Sequence, residues 1–191
     1  MKSPMKPTST AILGYDIGGT KIAVCVADES GKVLASARLN GGTQRPYAET
    51  IEELLDTGKR LVNQAGHTLD DVPVCGISAP GPMDVARGVL EKSPNMAWDD
   101  VPIRDDLANG LGIETVLDND ANAGALAEWF FGAGKGAEDL IYLTMSTGIG
   151  GGIIAGGQLV RGTVGNAGEL GHLILDLDGP PCGCGMKGCF E

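Results

Sequence analysis

Three short hydrophobic runs, AILGYDI, IAVCVAD and VLASARL, lie between residues 11 and 39, and GGTK and ESGK turn the chain between them. Short apolar runs separated by Gly turns predict an antiparallel meander. From Tyr47 to Gln64 the apolar residues Ile51, Leu54, Leu55, Leu61 and Val62 recur at helical spacing. VPVCGIS at 72–78 is a continuous apolar run bounded by turn residues, which predicts a buried strand, and a proline-punctuated loop, APGPMD, follows it. Arg104 to Leu111 predicts a short helix, ETVLDND another buried strand, and ANAGALAEWFFGAG a helix entered straight from it. Hairpin-linked strands followed by alternating helices and strands predict a mixed α/β sheet.

The order then restarts. LIYLTMS, GIGGGIIAGG and QLVRGT repeat the strand and Gly-turn grammar of residues 11–39, with STGIGGG standing where DIGGTK stood. The pattern reads as an internal duplication of the opening meander. Residues 1–10 form a polar, proline-containing tail. The expected domains are 11–133 and 134–191, the second without the helices that cover the first sheet. LIYLTM, GIIAGG and HLILD are apolar on both faces, and such strands expect cover on both. A bare apolar face is therefore expected in the second domain.

Charge and composition narrow the partners. With 14 Lys+Arg against 25 Asp+Glu the net charge is −11, which argues against nucleic acid or an anionic membrane surface. Glycine supplies 31 of 191 residues, roughly twice its usual share of about 7% and without a collagen period. Glycine used this way marks tight turns and backbone that approaches a ligand closely. The longest low-charge stretch, Gly148 to Val160, is shorter than the roughly 20 apolar residues of a membrane span. No signal peptide is read in the N-terminal segment, so the chain reads as cytoplasmic. Cys25 and Cys75 sit in strand-like runs and read as buried thiols. His67 lies in a polar turn, AGHTLD, and reads as surface.

Paired glycines at a hairpin tip, as in DIGGTK (Asp16 to Lys21), let backbone N–H groups face a phosphate. Thr20 adds a hydroxyl, and Asp16 at a strand end is placed to hold Mg²⁺ through water. An ordinary Gly-Gly hairpin with a capping Asp is the plain alternative. MSTGIGGG (Met145 to Gly152) offers the same chemistry at the matching place of the second meander, and two such loops across a cleft make an ATP site. Other nucleotide motifs fail: no Gly-Lys pair is followed by Ser or Thr, and Ile153 stands where a dinucleotide fingerprint from Gly148 needs Gly. LDNDANAG crowds Asp118, Asn119, Asp120 and Asn122 at a strand-to-helix junction. A helix cap explains one of them. A carboxylate at the C-terminal edge of a strand is where an α/β enzyme keeps its base, which singles out Asp120. His172, Cys182, Cys184 and Cys189 fall within 18 residues. One His and three Cys match a closed tetrahedral Zn²⁺ site with no open position, so a structural one. An odd cysteine cluster in a reducing compartment favours metal over disulfide.

Taken together, DIGGTK, APGPMD, SPNMAW, DNDANAG, MSTGIGGGII, NAGELGH and CGCGMKGCFE resemble the ROK family (repressor, open reading frame, kinase), close to its sugar kinases, from about Ala11 to Glu191. The resemblance implies an actin/hexokinase-like (ribonuclease H-like) α/β fold with a sugar cleft between two domains, the first complete and the second incomplete here. It implies transfer of the γ-phosphate of ATP to a hexose with Mg²⁺. Residue by residue it implies Asp120 as catalytic base. It implies Gly81, Asn95, Asn119, Asp120, Glu169, His172 and Glu191 as sugar contacts, His172 also holding zinc. Asp16, Gly18, Gly19, Thr20 and Lys21, with Thr147 and Gly148, would form the two phosphate loops. Asp118 stands where many relatives carry Glu.

Family members continue well past the zinc motif, where this sequence stops. The helices behind the second sheet, the adenosine pocket and much of the usual dimer surface are then absent. A homodimer, or a missing C-terminal half, is the expected partner. Two other readings stay open: a fragment that binds zinc and sugar without turnover, and a sugar-sensing repressor. Against the repressor, only ten polar residues precede Ala11 and the charge is acidic. Glucose, N-acetylglucosamine and mannose fit the hydroxyl-reading residues alike, and SPNMAW leans toward glucose.

Overall fold

A computed structural model describes residues 10–92, 96–146, 148–163 and 165–191. The chain divides into two units, Met1–Asn119 and Asp120–Glu191.

The first unit is built on the expected meander: β1 (Ala11–Ile17), β2 (Lys21–Asp28) and β3 (Val33–Asn40) pair antiparallel. β4 (Val74–Ala79) and β7 (Glu114–Asn119) extend the sheet in parallel, in the order β3-β2-β1-β4-β7. Between them β5 (Met83–Asp84) and β6 (Val89–Leu90) form a small ribbon. Helix α1 (Tyr47–Gln64) turns Leu54, Leu61 and Val62 into the core, where they meet Leu13, Tyr15 and Ile17 of β1. Tyr15 is tucked beneath α1, its hydroxyl donating to the Leu54 carbonyl at 3.0 Å. A Cβ at position 58 would lie 2.1 Å from that hydroxyl, so Gly58 makes the fit possible. Helix α2 (Ile103–Leu111) buries Ile103, Leu107 and Leu111 at four-residue spacing and stops at Gly112 in the left-handed region, φ 69°.

The second unit opens with α3 (Asp120–Phe131), followed by β8 (Leu140–Met145), β9 (Ile149–Ala155) and β10 (Gln158–Leu159), an antiparallel sheet. Sequence placed α3 with the first domain and the boundary after residue 133. The structure puts α3 on β8 and β9 instead. The cause is a seam of small residues: a Cβ at Gly152 would sit 2.6 Å from Ala125 Cβ, and one at Gly124 2.7 Å from the Tyr142 ring. Bare glycine lets helix and sheet backbones close on each other. Gly150, Gly151 and Gly152, read as part of a phosphate loop, therefore lie inside β9 and serve packing.

Two further expectations change. HLILD forms no strand; Ile174 makes only an isolated bridge to Cys189. His67 is buried at 5% exposure rather than lying on the surface. The chain reverses at Gly66, φ 83°, and the His67 N–H returns to the Val62 carbonyl at 3.0 Å. The expected bare face is present on β8: Ile141, Leu143 and Met145 are 66%, 45% and 72% exposed, while the alternate residues face the α3 side.

Candidate functional site

In the first unit, parallel register builds a polar row at the carboxyl ends of three strands. Asp16 of β1 pairs with Ser78 of β4, and Ser78 with Asp118 of β7. The Ser78 hydroxyl donates to Asp16 Oδ1 at 3.0 Å. Asp118 Oδ1 accepts the Asn119 N–H at 2.8 Å. Asn119 itself pairs with Ala79, two residues before Gly81, so the expected sugar contacts Asn119 and Gly81 share this edge. A side chain at position 81 would meet open space.

The DIGGTK hairpin joins β1 to β2 beside that row. The Gly18 N–H closes the turn on the Lys21 carbonyl at 3.0 Å, so this amide is committed. A Cβ at position 19 would meet nothing within 4 Å, and Thr20 and Lys21 are exposed. Sequence reasoning missed what supports the hairpin. Gly41 N–H donates to the Thr20 carbonyl (2.9 Å) and Thr43 N–H to that of Gly18 (3.2 Å). Gly42, φ 44°, passes so close that a Cβ would sit 2.1 Å from the Gly18 oxygen. The signal was the second Gly pair, NGGT at 40–43, at the end of β3.

In the second unit, Asp120 is the first residue of α3 and is exposed. Its Oδ1 accepts the Ala121 N–H at 2.8 Å. A carboxylate in the first turn of a helix lies in the favourable field of the helix dipole.

The four sequence-predicted metal ligands converge. The ligand atoms of His172, Cys182, Cys184 and Cys189 all lie within 4.8 Å of one another. Cys184 Sγ and Cys189 Sγ are 3.8 Å apart, and Cys182 Sγ and His172 Nδ1 3.6 Å. A tetrahedron with Zn–S near 2.3 Å and Zn–N near 2.0–2.1 Å has edges of about 3.5–3.8 Å, so the donor set suits zinc in number and type, and these two separations match such edges. The thiols differ in their ease of ionisation. The Met186 N–H holds the Cys184 thiol below its ordinary range. The Cys189 thiol is pushed up to about 12, first by desolvation and then by its neighbours Cys182 and Cys184. Thiolates this close ionise together only when a cation offsets their charges.

Around this cluster sit two more predicted residues. Glu169 Oε2 lies 3.8 Å from His172 Nε2, and Glu191 Oε1 lies 3.9 Å from His172 Nδ1. Glu191 Oε2 accepts the Ile149 N–H at 3.0 Å, beside Gly148. Asn95 and Thr147 lie outside the described residues.

Residues 12–191 match the sequence profile of the ROK family. The glucokinase of Thermotoga maritima is 38% identical over 181 residues, which are 94% of this chain and 56% of that protein. The crystal structure of the ROK hexokinase from Thermus thermophilus has a TM-score of 0.84 at 41% identity, covering 94% of this chain and 58% of that one. A ROK family glucokinase from Streptomyces griseus, in complex with glucose and AMPPNP, has a TM-score of 0.74 at 42% identity, covering 94% and 55%. Repressors match as well: the xylose repressor of Bacillus subtilis is 32% identical over 179 residues, 46% of its length. The chain spans about half the length of the curated relatives it matches. The mixed α/β sheet is the actin/hexokinase-like class expected from the sequence.

Proposed function

The chain belongs to the ROK family, and from that premise we propose that it carries the catalytic half of an ATP-dependent hexose kinase. The observation that carries the proposal is Asp120, a carboxylate at the first residue of α3, directly after a strand whose end pairs with the Asp16–Ser78 row. Asp16 would hold Mg²⁺ through water, and Gly19 and Thr20 would supply donors to the ATP phosphates. The Gly18 amide, already bonded, would serve only to shape the turn. Thr147 and Gly148 would form the second phosphate contact. Bound Mg²⁺ would neutralise the charge that builds on the β- and γ-phosphates.

Asn119, Glu169, His172 and Glu191, with Gly81 and Asn95, would hold the sugar hydroxyls. Asp120 would accept the proton of the attacking hydroxyl as its oxygen bonds to the γ-phosphorus and the bond to ADP breaks. Phosphoryl transfer of this kind needs alignment and charge neutralisation more than covalent help. Zinc on His172, Cys182, Cys184 and Cys189 would be structural, orienting His172 rather than reacting. A cytoplasmic glucose kinase feeding sugar breakdown is the specific form proposed. Among the described residues no helix is long and apolar enough to cross a membrane.

The test is a coupled ADP-release assay on this chain against glucose, mannose and N-acetylglucosamine. Sugar-dependent ADP release supports the proposal. Its absence, with sugar binding retained by calorimetry, favours the second reading, a partial kinase that binds without turnover. That reading draws on the half-length match to the relatives. Retardation of operator DNA in a gel shift would instead favour a repressor.

A further inference from the structure

Glu191 makes a connection that a sugar contact alone does not require. One carboxylate oxygen faces two metal-ligand atoms, Cys182 Sγ at 3.7 Å and His172 Nδ1 at 3.9 Å. The other accepts the N–H of Ile149, the first residue of β9, at 3.0 Å. The backbone of Glu191 adds a third tie, its N–H donating to the Gly171 carbonyl at 2.9 Å, next to His172. Gly171 in turn presses on β9: a Cβ there would lie 2.1 Å from the Ile149 oxygen. Gly168 does the same to Gly151, where the distance would be 2.0 Å. The segment that carries His172 is thus seated on the β9 backbone, and Glu191 fastens its far end to the same strand.

We infer that Glu191 is a positioning residue that transmits occupancy of the His172–Cys182–Cys184–Cys189 centre to the start of β9, fixing Gly148 and Ile149 more firmly when the centre holds metal. The inference rests on the zinc and phosphate-loop readings proposed above. The physical chain is short. Metal draws His172 and the three sulfurs to fixed positions, and Cys189 is two residues from Glu191. The Glu191 backbone, whose N–H is tied to the Gly171 carbonyl beside His172, is then held in place by groups that no longer move. The Ile149 amide loses its exchange freedom because its acceptor is fixed. Without metal the loop holding Glu191 loosens, and the amide and the Gly148 backbone beside it open to water.

Hydrogen exchange on the full chain tests this, with zinc content measured on each sample. Exchange at Ile149 is compared between zinc-loaded and chelator-stripped protein, and in zinc-loaded Glu191→Ala and Glu191→Gln, with the buried Ile154 toward the far end of β9 as internal reference. The expected result is about tenfold faster exchange at Ile149 after stripping and in Glu191→Ala, with Ile154 unchanged. Glu191→Gln, whose amide oxygen still accepts the bond, should stay within about threefold of the parent. Unchanged Ile149 exchange in zinc-loaded Glu191→Ala overturns the inference. So does loss spread evenly over β9, which marks a merely structural role, and so does a protein that takes up no zinc. The readout is independent of turnover, so an inactive chain would sink the kinase proposal and leave this one standing.

Discussion

Asp120 Oδ1 accepts the N–H of Ala121 at 2.8 Å, so the proposed base is also tied to the first turn of the helix it begins. The two roles separate on substitution. In Asp120→Asn the amide oxygen can still accept that N–H, and only the charge is lost. The cost to stability is the charge–dipole contribution, about 0.3–1 kcal/mol. Sugar phosphorylation should fall by at least about a hundredfold, the low end for a positioned base. Near-normal turnover in a folded, zinc-containing variant would remove Asp120 from the mechanism.

Metal analysis of reduced protein that has not met chelator should find about one zinc per chain. Cys182→Ser and Cys184→Ser should each lose it, because three remaining donors do not close a tetrahedral site. Stripping the zinc should expose three thiols to rapid modification and leave Cys75 unreactive, since Cys75 is fully buried. A protein with no metal, or a Cys184→Ser variant with full zinc, would contradict the assignment.

Burial pushes the Cys75 thiol up to about 12 from a reference value of 9.0, with neighbouring Thr115 pulling the other way. Below the reference value both folded and unfolded chains hold the proton, so stability is fully present. Between about 9 and 12 the unfolded chain ionises and the native one does not. Stability should therefore fall as pH rises through that window. Chemical denaturation at stepped alkaline pH reads it, with Cys75→Ala as the control. An equal slope in the control would show that Cys75 does not drive the loss.

The outer face of β8 carries Ile141, Leu143 and Met145 in the open. Among the described residues β8 is also an edge strand, next to β9 alone. An exposed apolar edge strand invites pairing and association. The isolated chain should therefore scatter light as more than a monomer at micromolar concentration, and Ile141→Lys with Met145→Lys should lower the scattering without lowering thermal stability. A parent chain that stays monomeric would show that this face tolerates water as it stands.

Periodicity alone determined the meander, α1, α2 and the buried strands, because those segments alternate or recur cleanly against one core. Tyr47–Gln64 was legible residue for residue, and so was the clustering of His172, Cys182, Cys184 and Cys189, which lie close in sequence. The row Asp16–Ser78–Asp118 was not legible. It joins residues far apart in the chain, and only parallel register sets them side by side. Sequence also could not say which sheet α3 would cover, since a helix of Ala and Gly fits either neighbour. The small-residue seam Gly124, Ala125 and Gly152 decided it through close backbone approach. The same ambiguity hid the purpose of GIGGG. Glycine near a phosphate and glycine under a helix look identical in one dimension, and three-dimensional contact separated Gly148, beside Glu191, from Gly150 and Gly152, beneath α3.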